Sequence, residues 1–148
     1  MSRMDTFAEL MKQIIEMLSK RANRMMKKND LTFTQMMVLK MLMDEEDHML
    51  SQGKITQGLM VSQPTVAGVI KRMHKKDFIR ILPDSSDGRI KIIQLADRGR
   101  DCYQATEEKR QEMADIFWSA FTTEERDIFI ALLAKLRDSL AEAEEKDS

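Results

Sequence analysis

The chain has 148 residues, 43% hydrophobic and 33% charged, with a formal net charge of -1, one cysteine, two prolines and five glycines. That length allows one folded domain with a real core, and that composition excludes a disordered polymer. No apolar run approaches the roughly 20 residues of a membrane span, the first ten residues carry Asp5 and Glu9 with no apolar export core, and the lone Cys102 forbids an internal disulfide and suits a reducing cytoplasm.

Residues 5–28 predict a long helix, because Phe7, Leu10, Met11, Ile14, Met17, Leu18 and Met25 recur at three- and four-residue steps. After the polar break 27–30, Thr32 stands three residues before Gln35, a capping-box spacing, and opens an apolar helix to about Met43. An acidic stretch, Asp44-Glu45-Glu46-Asp47, closes it. Ser51 caps a short helix that ends near Leu59, and Ser62 caps the next, whose first turn tolerates Pro64. In that helix Val66, Val69, Ile70 and Met73 make one apolar stripe, and the opposite face carries Thr65, Gly68, Lys71, Arg72 and Lys75. The period then changes. Residues 79–82 and 89–95 are rich in β-branched residues and flank the turn-forming 83–88, which predicts a β-hairpin with a six-residue tip. Residues 97–120 return to helix, and Thr122 with Glu125 opens a last helix with Ile128, Phe129, Leu132, Leu133, Leu136 and Leu140 on one side.

Charge is unevenly divided along these elements. Residues 62–82 hold Lys71, Arg72, Lys75, Lys76 and Arg80 against Asp77 alone, whereas 101–148 hold six basic and thirteen acidic side chains. A basic middle beside an acidic tail points to a local polyanion site, although charge alone fits a solvated helix face equally well. The order of elements decides more. A short helix, a tight turn, a helix with a basic outer face and a β-hairpin form a helix-turn-helix with a wing. A helix fits the DNA major groove, where base edges present a distinguishable pattern, and its N-terminal half enters. Gln63 and Thr65 can then hydrogen-bond bases or phosphates, Pro64 can touch thymine methyls, Gly68 lets backbone approach, and Lys71, Arg72 and Lys75 reach phosphate or guanine.

Taken in order, Leu31-Thr32-x-x-Gln35, Leu50-Ser51-Gln52, Val61-Ser62-Gln63-Pro64-Thr65-Val66, Ile70-Lys71-Arg72-Met73, Phe78-Ile79, Asp87-Gly88-Arg89 and Leu95-x-x-x-Gly99 resemble the MarR family, the multiple antibiotic resistance regulators. The likeness spans residues 31–100. It implies a mostly helical chain with a small β-hairpin wing: a single domain over 1–148, its winged helix-turn-helix core at 31–100 flanked by dimerisation helices at 5–28 and 101–145. The implied function is a cytoplasmic, homodimeric DNA-binding regulator, a repressor, that reads a pseudo-palindromic operator in double-stranded DNA. Ser62, Gln63, Pro64, Thr65, Gly68, Lys71, Arg72 and Lys75 would form the recognition helix, Ser51 and Gln52 would meet phosphate, and Arg89 would enter the minor groove with Asp87 holding its guanidinium. Some relatives bind small aromatic or phenolic effectors, and no cofactor or metal is implied.

The pattern is broken in places. Met60 and Asp77 stand where the family usually has Gly, Ala96 replaces a capping Thr and leaves the cap to Asp97, Gly58 sits mid-helix, and the loop before Leu50 is about two residues long for the family. Cys102 reads as a small buried filler, with a redox sensor as the alternative. His48 beside the acidic loop lacks partners for a transition-metal site, and His74 between cations reads as a surface residue. The methionines of the first two helices read as core, with a ligand pocket as the sharper alternative. No nucleophile elbow, phosphate-binding glycine loop or paired zinc cysteines point to an enzyme. A helical module that binds an acidic protein is the other non-enzyme reading.

Overall fold

The computed structural model describes residues 2–84 and 86–148; Ser85, part of the expected hairpin tip, lies outside the described residues. The chain forms two compact units, Met1–Lys109 and Arg110–Ser148.

In the first unit Ser2 caps α1 (Arg3–Met26) through a reciprocal capping box with Asp5. A 3-10 turn, Lys27–Asn29, ends at Asp30, whose φ of 55° is left-handed. Thr32 and Gln35 make the expected capping box at the start of α2 (Phe33–Met43). The chain then runs through β1 (Met49–Ser51), α3 (Gln52–Leu59), α4 (Gln63–Lys75), β2 (Ile79–Pro83), β3 (Lys91–Leu95) and α5 (Asp97–Ala105). The Val66, Val69, Ile70 and Met73 stripe of α4 is buried, as its spacing predicts, against Leu39, Leu42, Ile55, Phe78, Ile79 and Ile93. Each such side chain stabilises the fold by roughly 1.5–3 kcal/mol.

The wing is larger than a hairpin. β1 pairs antiparallel with β3, which also pairs with β2, in the order β1-β3-β2. Three residues, Met49-Leu50-Ser51, are too short a run to show strand alternation in the sequence. The second hairpin strand also starts at Lys91, two residues later than expected, so Arg89 and Ile90 belong to the tip and Pro83 to β2.

The expected helix 97–120 is two helices, α5 and α6 (Glu107–Trp118), separated at Thr106. Thr106 is fully buried and its hydroxyl donates to the Tyr103 carbonyl at 2.6 Å, the back-bonding by which a threonine bends or ends a helix. Asp97 does not take over the cap of α5: Ala96 is the N-cap residue and no side chain accepts from the first turn. Asp97 lies inside the helix, 3.9 Å from the Arg100 guanidinium.

The second unit holds most of α6 and α7 (Thr123–Asp147), which opens on the Thr122–Glu125 capping box. Phe117, Trp118, Phe121 and Phe129 cluster here, with Phe117–Trp118 edge-to-face at 4.5 Å and Phe121–Phe129 stacked at 5.2 Å. No residue of α7 is buried.

Candidate nucleic-acid interface

The cap of α3 and the cap of α4 are built alike. Ser51 Oγ accepts from the Lys54 N–H at 3.1 Å, and Ser62 Oγ accepts from the Thr65 N–H at 3.4 Å and bonds the Thr65 hydroxyl at 2.8 Å. The two helices are joined through Met60, held left-handed at φ 57°. Ser62, Gln63, Pro64, Thr65, Lys71, Arg72 and Lys75 are exposed on α4, and Gly68 is half-buried. At Gly68 a Cβ would lie 3.4 Å from Arg72 Nη1, so the Arg72 guanidinium folds back along its own helix over the glycine. Lys76, counted in the same basic run, is turned away from that face and bonded internally.

At the wing tip the Arg89 N–H donates to Asp87 Oδ1 at 3.0 Å, Nε donates to the same oxygen at 3.2 Å, and Nη2 donates to Oδ2 at 3.4 Å. The backbone N–H of Arg89, then its guanidinium, hold the Asp87 carboxyl below the usual range. Gly88 has no positive φ, so the tight turn does not depend on glycine's freedom; nothing lies where its Cβ would be.

Two cavities carry these residues. One, of about 400 Å³, brings together Ser51, Gln52, Gly53 and Thr56 of the α3 end, Gln63 of α4, and Arg89, Ile90 and Lys91 of the wing. Three elements thus face one groove edged by hydroxyls, amides and two cations. The other, of about 580 Å³, places Thr65, Val69 and Arg72 of α4 against Thr32, Thr34 and Gln35 of α2 and against Asn23 and Lys27. Sequence reasoning missed Lys91, Thr56, Lys27 and Thr34. Lys91 was findable, because it lies two residues after Arg89 and period two returns a strand to the same face; the others depend on how separate elements pack.

Cys102 is half-buried and its thiol donates to the Asn29 carbonyl at 3.2 Å. Burial, then the Asp30 charge, push it above the ordinary thiol range, the wrong direction for a reactive thiolate. His48, left-handed at φ 56°, contacts the Leu42 carbonyl through Nδ1 at 3.2 Å, and its own carbonyl accepts from Leu95 N–H, so it closes the loop onto the sheet. Of the methionines, Met26, Met36 and Met73 are buried core, while Met4, Met17 and Met60 are exposed.

A family model described as MarR family matches residues 29–90. The uncharacterized HTH-type transcriptional regulator YybA of Bacillus subtilis is 28% identical over 111 residues, 75% of this chain and 74% of that one. The HTH-type transcriptional repressor NicR of Pseudomonas putida is 26% identical over 89 residues, which are 60% of this chain and 56% of NicR. Among solved structures, the MepR–DNA complex of S. aureus superposes with a TM-score of 0.83 at 26% identity, over 90% of this chain and 97% of that one.

Proposed function

This chain belongs to the MarR family of DNA-binding transcriptional regulators, and from that premise we propose that it is a homodimeric repressor reading a pseudo-palindromic operator. The observation that carries the reading is the groove shared by the α3 cap, the start of α4 and the wing tip. Hydroxyls and backbone N–H groups at helix starts, with cations at the rim, suit phosphates on both sides of a major groove entered by α4. Gln63 and Thr65 take base edges; Ser62 caps the helix that presents them, and Pro64 offers a thymine methyl its apolar ring. Lys71 and Lys75 take phosphate, as do Ser51 and Gln52, and Arg72 extends from its place over Gly68. Arg89, oriented by Asp87, enters the adjacent minor groove, where a weakly hydrated guanidinium is favoured.

The effector we assign is a small aromatic or phenolic acid. The cavity of about 580 Å³ beside α4 is lined by the apolar Leu31, Val61 and Val69 and by the cations Lys27 and Arg72, within the size range of small-molecule sites. It shares Thr65 and Arg72 with the reading face, so its occupant and DNA exclude each other.

The test is selection of duplexes from a random pool by the purified protein, followed by titration of the enriched duplex at several salt concentrations. A palindromic sequence should emerge, bound at least a thousandfold more tightly than random duplex. Failure of any sequence to enrich, or binding to an acidic protein that excess duplex does not compete away, would replace this reading with that of a protein-interaction module.

A further inference from the structure

Lys76 follows α4 as its C-cap residue. Its side chain is only 27% exposed, unlike Lys71, Arg72 and Lys75 on the open face. Its ammonium donates to the Asp30 carbonyl at 2.7 Å and to Gln35 Oε1 at 3.3 Å, and Asp30 Oδ1 lies 3.3 Å away. Two hydrogen bonds and the Asp30 carboxylate engage the ammonium within the protein, which turns it away from a phosphate. The Phe78 ring lies beside the same charge, 5.6 Å from Nζ to the centroid.

Those acceptors are not scattered. Asp30 is the left-handed residue that closes the turn after α1, and its own N–H donates to the Lys27 carbonyl. Gln35 Oε1 also accepts from the Thr32 N–H in the capping box that starts α2. One ammonium therefore joins the far end of α4 to the end of α1 and the beginning of α2. From this we infer that Lys76 is a positioning residue for DNA reading: it fixes the angle between α4 and α1 and so the spacing at which a dimer presents its two recognition helices. The inference rests on α4 being the recognition helix and α1 a dimerisation helix. Its leverage follows from length: α4 has 13 residues, about 20 Å at 1.5 Å each, so a tilt of about 10° at the Lys76 end moves the Gln63 end by about 3 Å.

The test uses the full-length protein and the operator it selects, in three duplexes with the native spacer or one base pair more or less. Lys76→Met keeps the aliphatic stem, Lys76→Arg keeps the charge and donors, and Asp30→Asn keeps the carbonyl acceptor and a residue tolerant of positive φ. Lys76→Met should remain dimeric by sedimentation and lose at least tenfold in affinity for the native spacing. Its preference among the three spacings should fall below threefold. Its salt slope should match wild type, because no phosphate contact is lost. Lys76→Arg should recover to within threefold of wild type, and Asp30→Asn should show a smaller loss of spacing preference. Equal losses on all three duplexes with a salt slope reduced by about one would make Lys76 a phosphate contact instead. An undiminished spacing preference in Lys76→Met, or in Asp30→Asn if Lys76→Met does not fold, would overturn the inference alone. A wild-type protein that selects no duplex would overturn it together with the DNA reading.

Discussion

Arg89 carries its charge in the open, with 93% of its side chain exposed, yet two guanidinium contacts to Asp87 restrict its direction. An exposed pair contributes little to stability, so its value lies in aiming the guanidinium. Arg89→Ala should leave the melting temperature unchanged and weaken operator binding at least tenfold, with Arg89→Lys recovering only part, because an ammonium is more strongly hydrated. Titration of labelled operator at fixed salt, beside a melting curve, measures both; unchanged affinity in Arg89→Ala would remove the wing from the groove. The sign of the pH effect follows from Asp87. Its folded carboxyl is held below the usual range, so the pair is intact above the ordinary carboxylate pKa and is lost only as pH falls through the depressed value. Cys102 runs the other way. Its thiol is held above the ordinary range, so the neutral form persists as pH rises through the usual thiol pKa. Alkylation by iodoacetamide should be slower than for a free thiol at neutral pH and accelerate only at higher pH. A rate equal to that of an unfolded control would sink this account. The Asp87–Arg89 pair was legible from the family resemblance, and the filler reading of Cys102, a thiol with no second cysteine, agrees with its half-buried place. The engagement of Lys76 was not legible, because its acceptors lie 41 and 46 residues upstream.

At the scale of elements, what was legible had local causes. The capping boxes at Thr32 and Thr122 and the apolar stripe of α4 are written within eight residues each, and all formed. What was not legible needed a remote partner or lacked a signal: β1, whose order comes from β3, and the break at Thr106, where no glycine or proline announces it. Gly99 shows the same divide. The resemblance marked it, but only the fold explains it, since a Cβ there would collide with the Phe78 carbonyl, which also accepts from the Ala96 N–H at 3.0 Å. Met60 tests the opposite case. It holds the turn between α3 and α4 at φ 57° with 80% of its surface exposed, where an L side chain costs roughly 1–2 kcal/mol. Met60→Gly removes that strain but adds freedom to the unfolded chain, for a net gain of about 0.5–1 kcal/mol. Urea unfolding should show a higher midpoint with unchanged slope; a lower midpoint would mean that the methionine side chain holds the turn by contacts that its exposure does not reveal.

At the scale of the whole molecule, α1 and α7 each leave an apolar stripe uncovered. In α1 only Ala22 and Met26 are buried, while Phe7, Leu10, Ile14 and Met17 are exposed. In α7 nothing is buried, and Ile128, Leu132, Leu136 and Leu140 are exposed. The three- and four-residue spacing of these side chains makes continuous stripes, which a soluble monomer rarely leaves bare. A second copy of the chain would cover them and set two α4 helices for half-sites about 10 bp apart, one turn of DNA. Leu132→Glu discriminates between a bare stripe and an interface. On a monomer it changes an exposed position and costs little; in an interface it buries an unpaired charge. Wild type should therefore sediment as a dimer at micromolar concentration and Leu132→Glu as a monomer. The melting transition of the variant should also become independent of protein concentration. Operator affinity should fall by about 100-fold or more, since the second half-site no longer binds as part of one linked unit. Affinity for a single half-site should stay the same in both proteins, because the reading face is untouched. A Leu132→Glu protein that remains dimeric and binds the operator normally would take α7 out of the interface. A monomeric wild type that binds the operator tightly would remove the dimer itself, and with it the requirement for a palindrome.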